Sequence, residues 1–493
     1  MGRFAIIVVI ALSLTFGYFV INKKSNETYA VKQTINIYNR RKAQNLANSY
    51  ASLYLNSLHS DTTWTPDEIN WDSANLNMAG VSHKHSLDSN TEIKVNKQNY
   101  IGSNYLDVGE IQITAIADVQ GIVCSTLVSD RQIPYSYYGW FVDNWQYYLG
   151  SGERITGPFH TNNGGFGIYG PGGPVVDGNM TLGGSIYTYN INEQNWRNDP
   201  TKFQGDWIYE GAPKIPFDED NVWLQSDSEN DAFDLDNVFP SHSGDLHIAM
   251  LDDGRISVSK NAIDPGESNV DILANNHPND VKIFDIDTLA VNNGNVILSK
   301  NHNLRLRGEL KGQLTIATEN NVYIDDDITY ENDPRNDDEA GEVPSEDLLA
   351  IMSKSNVYVS TDPIYYPYEN GGSGDTETPH MEDEWDNDTM NEDIPNSSPD
   401  GEPDGAAIFG SIYAWGTMKP EGGYSQGQAF GDFYTYGGRI QADVSPTWSS
   451  HWNSHGYQGF KEKIIYDERL RRMSPHGMPW TNNRRIYKWK ETA

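Results

Sequence analysis

The chain opens on an unbroken apolar run and then changes its hydrophobic period. Phe4 to Ile21 reads FAIIVVIALSLTFGYFVI, 18 residues without a charge, about 27 Å as a helix and enough to cross a bilayer core. From Asn26 to Leu58 there is neither Gly nor Pro. Ala43, Leu46, Ala47, Tyr50, Leu53, Tyr54 and Leu58 recur at three- and four-residue steps, the stripe of an amphipathic helix. The pattern predicts one helix from the apolar run through Leu58, with a membrane anchor over residues 1–22 and a helical extension over 23–60. A cleaved secretory signal is the competing reading of the run. It is the poorer fit, because no small-x-small site closes the segment and Thr28-Tyr29-Ala30 is a poor substitute. Arg3 and Lys23-Lys24 flank both ends with positive charge, so the flanks leave orientation open.

Beyond residue 60 the period shortens to two. Ile111-Gln-Ile113-Thr-Ala-Ile116 alternates as a half-buried strand does, and an aromatic cluster follows from Tyr135 to Tyr148. Residues 61–150 therefore read as a β-rich aromatic domain, its rings filling a core. Over 151–445 the apolar runs are three to six residues long, as in Gly167–Tyr169, Val296–Leu298, Leu314–Ile316, Val357–Val359 and Ile408–Ile412, with Gly, Asn or Asp between them. A sandwich or barrel produces this rhythm, and so does a parallel β-solenoid, in which short strands stack coil on coil. The brevity of the strands and the insertions between them favour the solenoid. The expected fold is mainly β: an N-terminal transmembrane and amphipathic helix, then a β-rich ectodomain built as a right-handed parallel β-solenoid.

Charge divides the chain further. Its 493 residues carry a formal net charge of −34, yet residues 23–60 hold six Lys or Arg against Glu27 alone. That stretch suits either anionic lipid headgroups or a solvated helix face. Asp325 to Asp404 holds 25 acids and two bases, and within it 332–347 and 370–405 read as acidic loops. The tail 446–493 reverses sign, with nine bases, four acids and four Trp. A chain this acidic repels phosphate backbones, so no nucleic-acid partner is expected. With 12% aromatic residues it is not a disordered chain. Cys124 is the sole cysteine, which excludes an intramolecular disulfide and a Cys-based zinc site.

Candidate chemistry is sparse. Asp325-Asp326-Asp327, Asp386-Asn-Asp388 and Asp227-Ser-Glu229-Asn-Asp231 gather hard oxygens that suit Ca2+, with Asp325, Asp327, Asp386 and Asp388 the candidate ligands. None follows EF-hand spacing, and solvated acidic loops are the plainer alternative. His242, Asp245 and His247 fall within six residues, but Gly244 argues for a turn rather than a zinc-binding helix. His83 and His85 lie in a polar stretch. No nucleophile elbow, P-loop or dinucleotide fingerprint is present. No cofactor beyond Ca2+ and no catalytic residue is expected.

Several stretches resemble a bacterial envelope family that pairs a pilin-like N-terminal helix, of the kind in PilX-type minor pilins, with a β-solenoid ectodomain of unassigned function. They are Gly152-Glu-Arg-Ile-Thr-Gly-Pro-Phe-His160-Thr-Asn162, Asn321–Tyr330, Leu348–Met352, Asn356–Val359, Ile465–Leu470, Ser474–Pro479 and, just past the apolar run, Ala43–Ala51. The resemblance implies that His160 and Asn162 orient a turn by hydrogen bonds and that Asp467 and Arg469 form an ion pair locking the tail. It departs at two places, one of them Arg3, an unusual residue at the terminus that prepilin-type processing would create. After a prepilin-type cut behind Gly2, the fifth residue would be Ile7, where standard pilins carry Glu.

The expected function is structural: a pilin-like or minor-pilin-like component of a type IV pilus-related assembly, or a surface adhesin. It would be anchored in the inner membrane through residues 4–21, with the ectodomain in the periplasm or on the cell surface. Its partners would be other pilin-like subunits or further copies of itself, met through the N-terminal helix. The alternative is an extracytoplasmic β-helix protein that binds or cleaves polysaccharide, motivated by the abundant Trp and Tyr.

Overall fold

The stripe beginning at Ala43 lies on one side of a single helix, Gly2–Ser60. The computed structural model describes residues 2–60, 81–88, 91–100, 110–170, 172–217, 223–224, 226–263, 270–336, 345–360, 364–366, 375–377, 406–421, 429–444, 459–471 and 473–492. Asp386 and Asp388 lie outside these residues, as do 337–344, 370–374 and 378–405 of the two acidic stretches. The protein is mainly β with a long N-terminal helix. It divides into two units, one of Met1–Gln132 with Asn482–Ala493 and one of Ile133–Thr481. The second is thus inserted, in chain order, into the first. This differs from the expected boundary at 150, because the aromatic cluster after Tyr135 packs in the cores of the second unit. The tail 446–493 likewise splits between the two.

In the first unit the sheet order is Val81–Asp88, Thr91–Tyr100, Glu110–Val119, Ile122–Pro134, Trp480–Thr492. The first four strands form an antiparallel meander. Gln120 and Gly121 join the third strand to the fourth, both with positive φ (54° and 80°), the geometry that a two-residue hairpin with native twist requires. Ala43, Ala47, Ala51, Tyr54 and Leu55 pack on Ile113, Ala115, Ala117, Val119, Cys124 and Val128. Small residues four apart on the helix meet alternate small residues of the sheet, so the two backbones approach closely. Asn39 Nδ2 donates to Gln120 Oε1 at 2.8 Å and Gln44 Nε2 to Thr126 Oγ1 at 3.1 Å, edging the seam with polar contacts. Cys124 is buried, and burial raises its thiol pKa, which favours the inert thiol.

In the second unit three rows of parallel strands run through the structure. One row orders Phe233–Asp234, Val296–Ser299, Gln313–Thr318, Leu348–Ser353, Ala406–Ala414, Ala429–Asp443, Trp140–Asn144, Phe159–Asn163, Met180–Leu182 and Ile208–Glu210. The second joins Leu246–Leu251, Leu304–Leu310, Val322–Tyr330, Val357–Val359 and Met418–Pro420. Farther along the stack, Tyr148–Leu149, Gly167–Tyr169 and Tyr187–Tyr189 form a three-stranded parallel sheet of their own. The third row takes the distal halves of Leu304–Leu310 and Val322–Tyr330 and the proximal halves of Ala406–Ala414 and Ala429–Asp443. It continues through Gly459–Ile465, Arg154–Thr156 and Val175–Asp177. Between the rows lies an aliphatic core that includes Ile248, Leu306, Ile324, Ile351 and Ile408. An aromatic core around Trp140, Trp145, Phe159 and Trp196 continues it.

Stacking order is not chain order. Strands from residues 140–210 lie beyond those from 429–465, so the chain enters and leaves this unit in mid-stack. At that seam Arg439 pairs in register with Trp140, and Lys463 with Arg154. Tyr135 N–H donates to Pro479 O at 3.2 Å and Thr481 Oγ1 to Ile133 O at 2.6 Å, so the two ends meet. Inside the seam, Arg439 Nη1 donates to both oxygens of Glu462 at 2.8 Å and Arg439 Nε to Gln441 Oε1 at 3.1 Å. The guanidinium lies 5.1 Å from the Trp140 ring centre, and both charged side chains are at most 1% exposed. Burial pushes the Glu462 carboxyl up, and Arg439 works against it. Glu462→Ala strands a buried guanidinium and should cost about 3–5 kcal/mol. Urea unfolding measures this, and the double replacement Arg439→Met with Glu462→Leu should restore much of the loss.

Candidate functional site

Three polar constellations and one apolar surface stand out. The first is built on the outward side of Phe159–Asn163. Phe159 and Thr161 alternate with His160 and Asn162, and a segment from Ala212 to Phe217 lies over the latter pair. Asn162 Nδ2 donates to Ile215 O at 2.6 Å and to Asp143 Oδ1 at 2.7 Å, while Asn162 Oδ1 accepts Ile215 N–H at 2.7 Å. That fixes the amide orientation. The His160 Nε2 facing Asn162 Oδ1 at 2.9 Å is therefore a donor, and Nδ1 at 2.7 Å accepts from Thr181 Oγ1. The imidazole stacks on Phe141 with centroids 5.1 Å apart. His160 is 2% exposed, and burial lowers its pKa to about 4 against the Asn162 bond. The neutral ring, bonded at both nitrogens, braces Asn162, whose amide holds the Ile215 backbone to the strand.

Asp467 and Arg469 come together as an ion pair. Arg469 Nε and Nη2 donate to Asp467 at 3.0 and 2.7 Å, and Arg469 Nη1 reaches Ser345 O at 2.8 Å. The pair ties the turn after Gly459–Ile465 to the segment leading into Leu348–Ser353.

Asp325 and Asp327 part company. Asp327 Oδ1 accepts Ala407 N–H at 2.7 Å, which holds a neighbouring strand. Asp325 turns into an ion network at the register shift between Leu306 and Gly308. It accepts Arg305 Nη1 at 2.6 Å and Arg307 Nη2 at 3.2 Å, with His247 Nδ1 at 3.6 Å. Burial pushes its carboxyl up, but His247, Arg307 and Arg305 outweigh that and hold it below its ordinary value. Arg305 also bonds Asp245 at 3.0 Å and Glu421 at 2.8 Å. It lies 4.4 Å from the ring centre of Tyr323, which stacks on Tyr358 at 4.9 Å. His242 instead contacts Asp245 O at 2.9 Å and stacks on His302. Among the described residues no group of three His, Cys, Asp or Glu is placed to hold a metal. Sequence reading missed Arg305 and Arg307 as partners of Asp325, and Glu421 as a partner of Arg305. The alternation Arg305-Leu-Arg307 in a short strand was the available signal, since it puts two arginines on one face.

The apolar surface belongs to the helix. Ten large apolar side chains between Val8 and Ile21 are 41–73% exposed, and Tyr29, Val31, Ile35, Ile37 and Tyr38 continue the exposure. Among the described residues no helix is long and apolar enough to cross a membrane. The side chains up to Ile7 lie outside those described.

No family model and no curated protein sequence matches the chain. Among solved structures, the crystal structure of the competence-associated pilin ComZ from Thermus thermophilus aligns over 92% of this chain and 97% of its own, at 9% identity and a TM-score of 0.33. Any functional assignment therefore rests on the residues themselves.

Two outcomes test the His160 clamp. Between pH 6.5 and 4 the unfolded chain takes up a proton that the folded His160 refuses. Stability should therefore fall as pH is lowered through this window, by up to about 3 kcal/mol, and the slope should shrink in His160→Gln. Asn162→Ala leaves the Ile215 backbone groups unbonded and should cost on the order of 2–3 kcal/mol in denaturant titration at pH 7.

Proposed function

We propose that this chain is a pilin-like, membrane-anchored envelope subunit that acts structurally rather than catalytically. In this reading its second unit is a right-handed parallel β-solenoid displayed outside the inner membrane. The observation that carries the proposal is the division of the helix Gly2–Ser60. From Ala43 onward one face is buried on the antiparallel sheet, whereas the ten large apolar side chains from Val8 to Ile21 are exposed. Each such side chain left in water forfeits about 1.5–3 kcal/mol. Lipid acyl chains, or the same helix of neighbouring subunits, are the surroundings that recover it. The solenoid reading draws on the three rows of in-register parallel pairing, in which each coil buries its apolar side against the next.

The mature N-terminus, read by mass spectrometry on sheared-filament and membrane fractions of native cells, tests the assignment. A chain beginning at Arg3 in the filament fraction is expected for a processed pilus subunit. A chain recovered in the soluble fraction without the segment before Lys23 would overturn both anchor and pilus. Leu14→Lys with Phe16→Glu should release the protein from sedimenting membranes while leaving the unfolding of the remainder unchanged.

A further inference from the structure

The small sheet formed by Tyr148–Leu149, Gly167–Tyr169 and Tyr187–Tyr189 has an unusual outer side. Register sets Leu149, Ile168 and Thr188 across from one another, and Tyr148, Gly167 and Tyr187 across from one another, with Tyr169 opposite Tyr189. Leu149 and Ile168 are fully buried, so the alternate positions face outward. Four of those five outward positions are tyrosine and the fifth is glycine. The missing side chain at Gly167 is used: a Cβ there would sit 2.6 Å from Tyr187 Cε2. The Tyr187 ring lies across the glycine, and its hydroxyl donates to Tyr147 O at 3.0 Å. Tyr148 meets Tyr187 edge-on at 5.0 Å. Tyr169 and Tyr189 stack at 5.5 Å with 5° between their planes. Tyr148 and Tyr189 remain 38% and 54% exposed. Rings held this way are immobilised before any ligand arrives, which removes an ordering cost from binding.

We infer that this tyrosine face is a binding site for a neutral polysaccharide, whose pyranose rings lie on the aromatic surface. None of the five outward positions bears a charge, so the face offers no cation to an acidic glycan's carboxylates. An aromatic face carries partial negative charge and attracts the C–H side of a sugar ring, while tyrosine hydroxyls bond its equatorial hydroxyls. The size of the surface separates this occupant from a second protein. Tyr148 and Tyr189, with the half-buried Tyr169 and Tyr187 beside them, present at most about 300 Å2. A stable dimer needs roughly 800 Å2 from each partner. A few sugar rings need far less.

The test uses the full chain in a detergent without sugar headgroups and measures binding to soluble neutral glucans and galactomannan, with alginate as the acidic comparison. Saturable binding to a neutral glycan is expected. Tyr189→Ala and Tyr148→Ala should each weaken it tenfold or more, and Tyr189→Phe, which keeps the ring, should retain it. Tyr209→Ala, an exposed tyrosine on another row, should leave it unchanged. Circular dichroism establishes that each variant is folded. Absence of neutral-glycan binding, binding to alginate alone, or binding that survives Tyr189→Ala in a folded protein would each overturn the proposal. So would self-association in analytical ultracentrifugation that Tyr189→Ala abolishes, because the face would then be an interface between copies.

Discussion

The bidentate contact between Arg439 and Glu462 governs the second unit because of where it lies. Two ions with almost no exposure are costly to desolvate, and hydrophobic residues of like volume often pack as stably. Here the pair marks the place where strands from opposite ends of the inserted segment become neighbours. Glu462 lies on Gly459–Ile465, which pairs with Arg154–Thr156, and Arg439 lies on Ala429–Asp443, which pairs with Trp140–Asn144. The ion pair itself joins two strands from the C-terminal end of that segment, and Arg439, 5.1 Å from the Trp140 ring centre, carries it across the junction. Everything stacked beyond it, including the His160 clamp and the tyrosine face, takes its register from this seam.

Local structure was largely legible in the sequence, and long-range order was not. The helix followed from an uninterrupted three-to-four spacing, and Gly167–Tyr169 and Val357–Val359 have the expected bounds. Other runs were recognised but came out longer, as Ile408–Ile412 did within Ala406–Ala414. A strand's period reveals its faces but not its neighbours. Nothing near residue 140 announces that it will lie beside residue 439. The boundary at 132 escaped for a related reason: the aromatic cluster signals a core without saying which one.

The same distinction separates the candidate residues. His160 with Asn162, and Asp467 with Arg469, are neighbours in sequence, so their mutual bonds follow from local geometry. Asp325 gave the opposite result. Read as a hard oxygen in an acidic run, it suits a cation from solution; in the fold its cations are Arg305 and Arg307 on the adjacent strand. An acidic run is ambiguous until its neighbours are known, because a guanidinium and a metal ion satisfy the same oxygens.

Placing the seam in mid-stack also sets a timetable for biosynthesis. The strands from Trp140 to Glu210 leave the ribosome first and can pair among themselves. The open edge at Trp140–Asn144 and Arg154–Thr156 must wait for Ala429–Asp443 and Gly459–Ile465, which lie roughly 220–255 residues after Glu210 in the chain. At ordinary elongation rates that is roughly 12–50 s with an uncovered strand edge. In an open repeat array, each new coil adds to a finished one as it emerges. Here the earliest-made strands are completed by almost the last-made ones, so a nascent chain arrested anywhere in between presents a sticky edge to whatever holds unfolded chains.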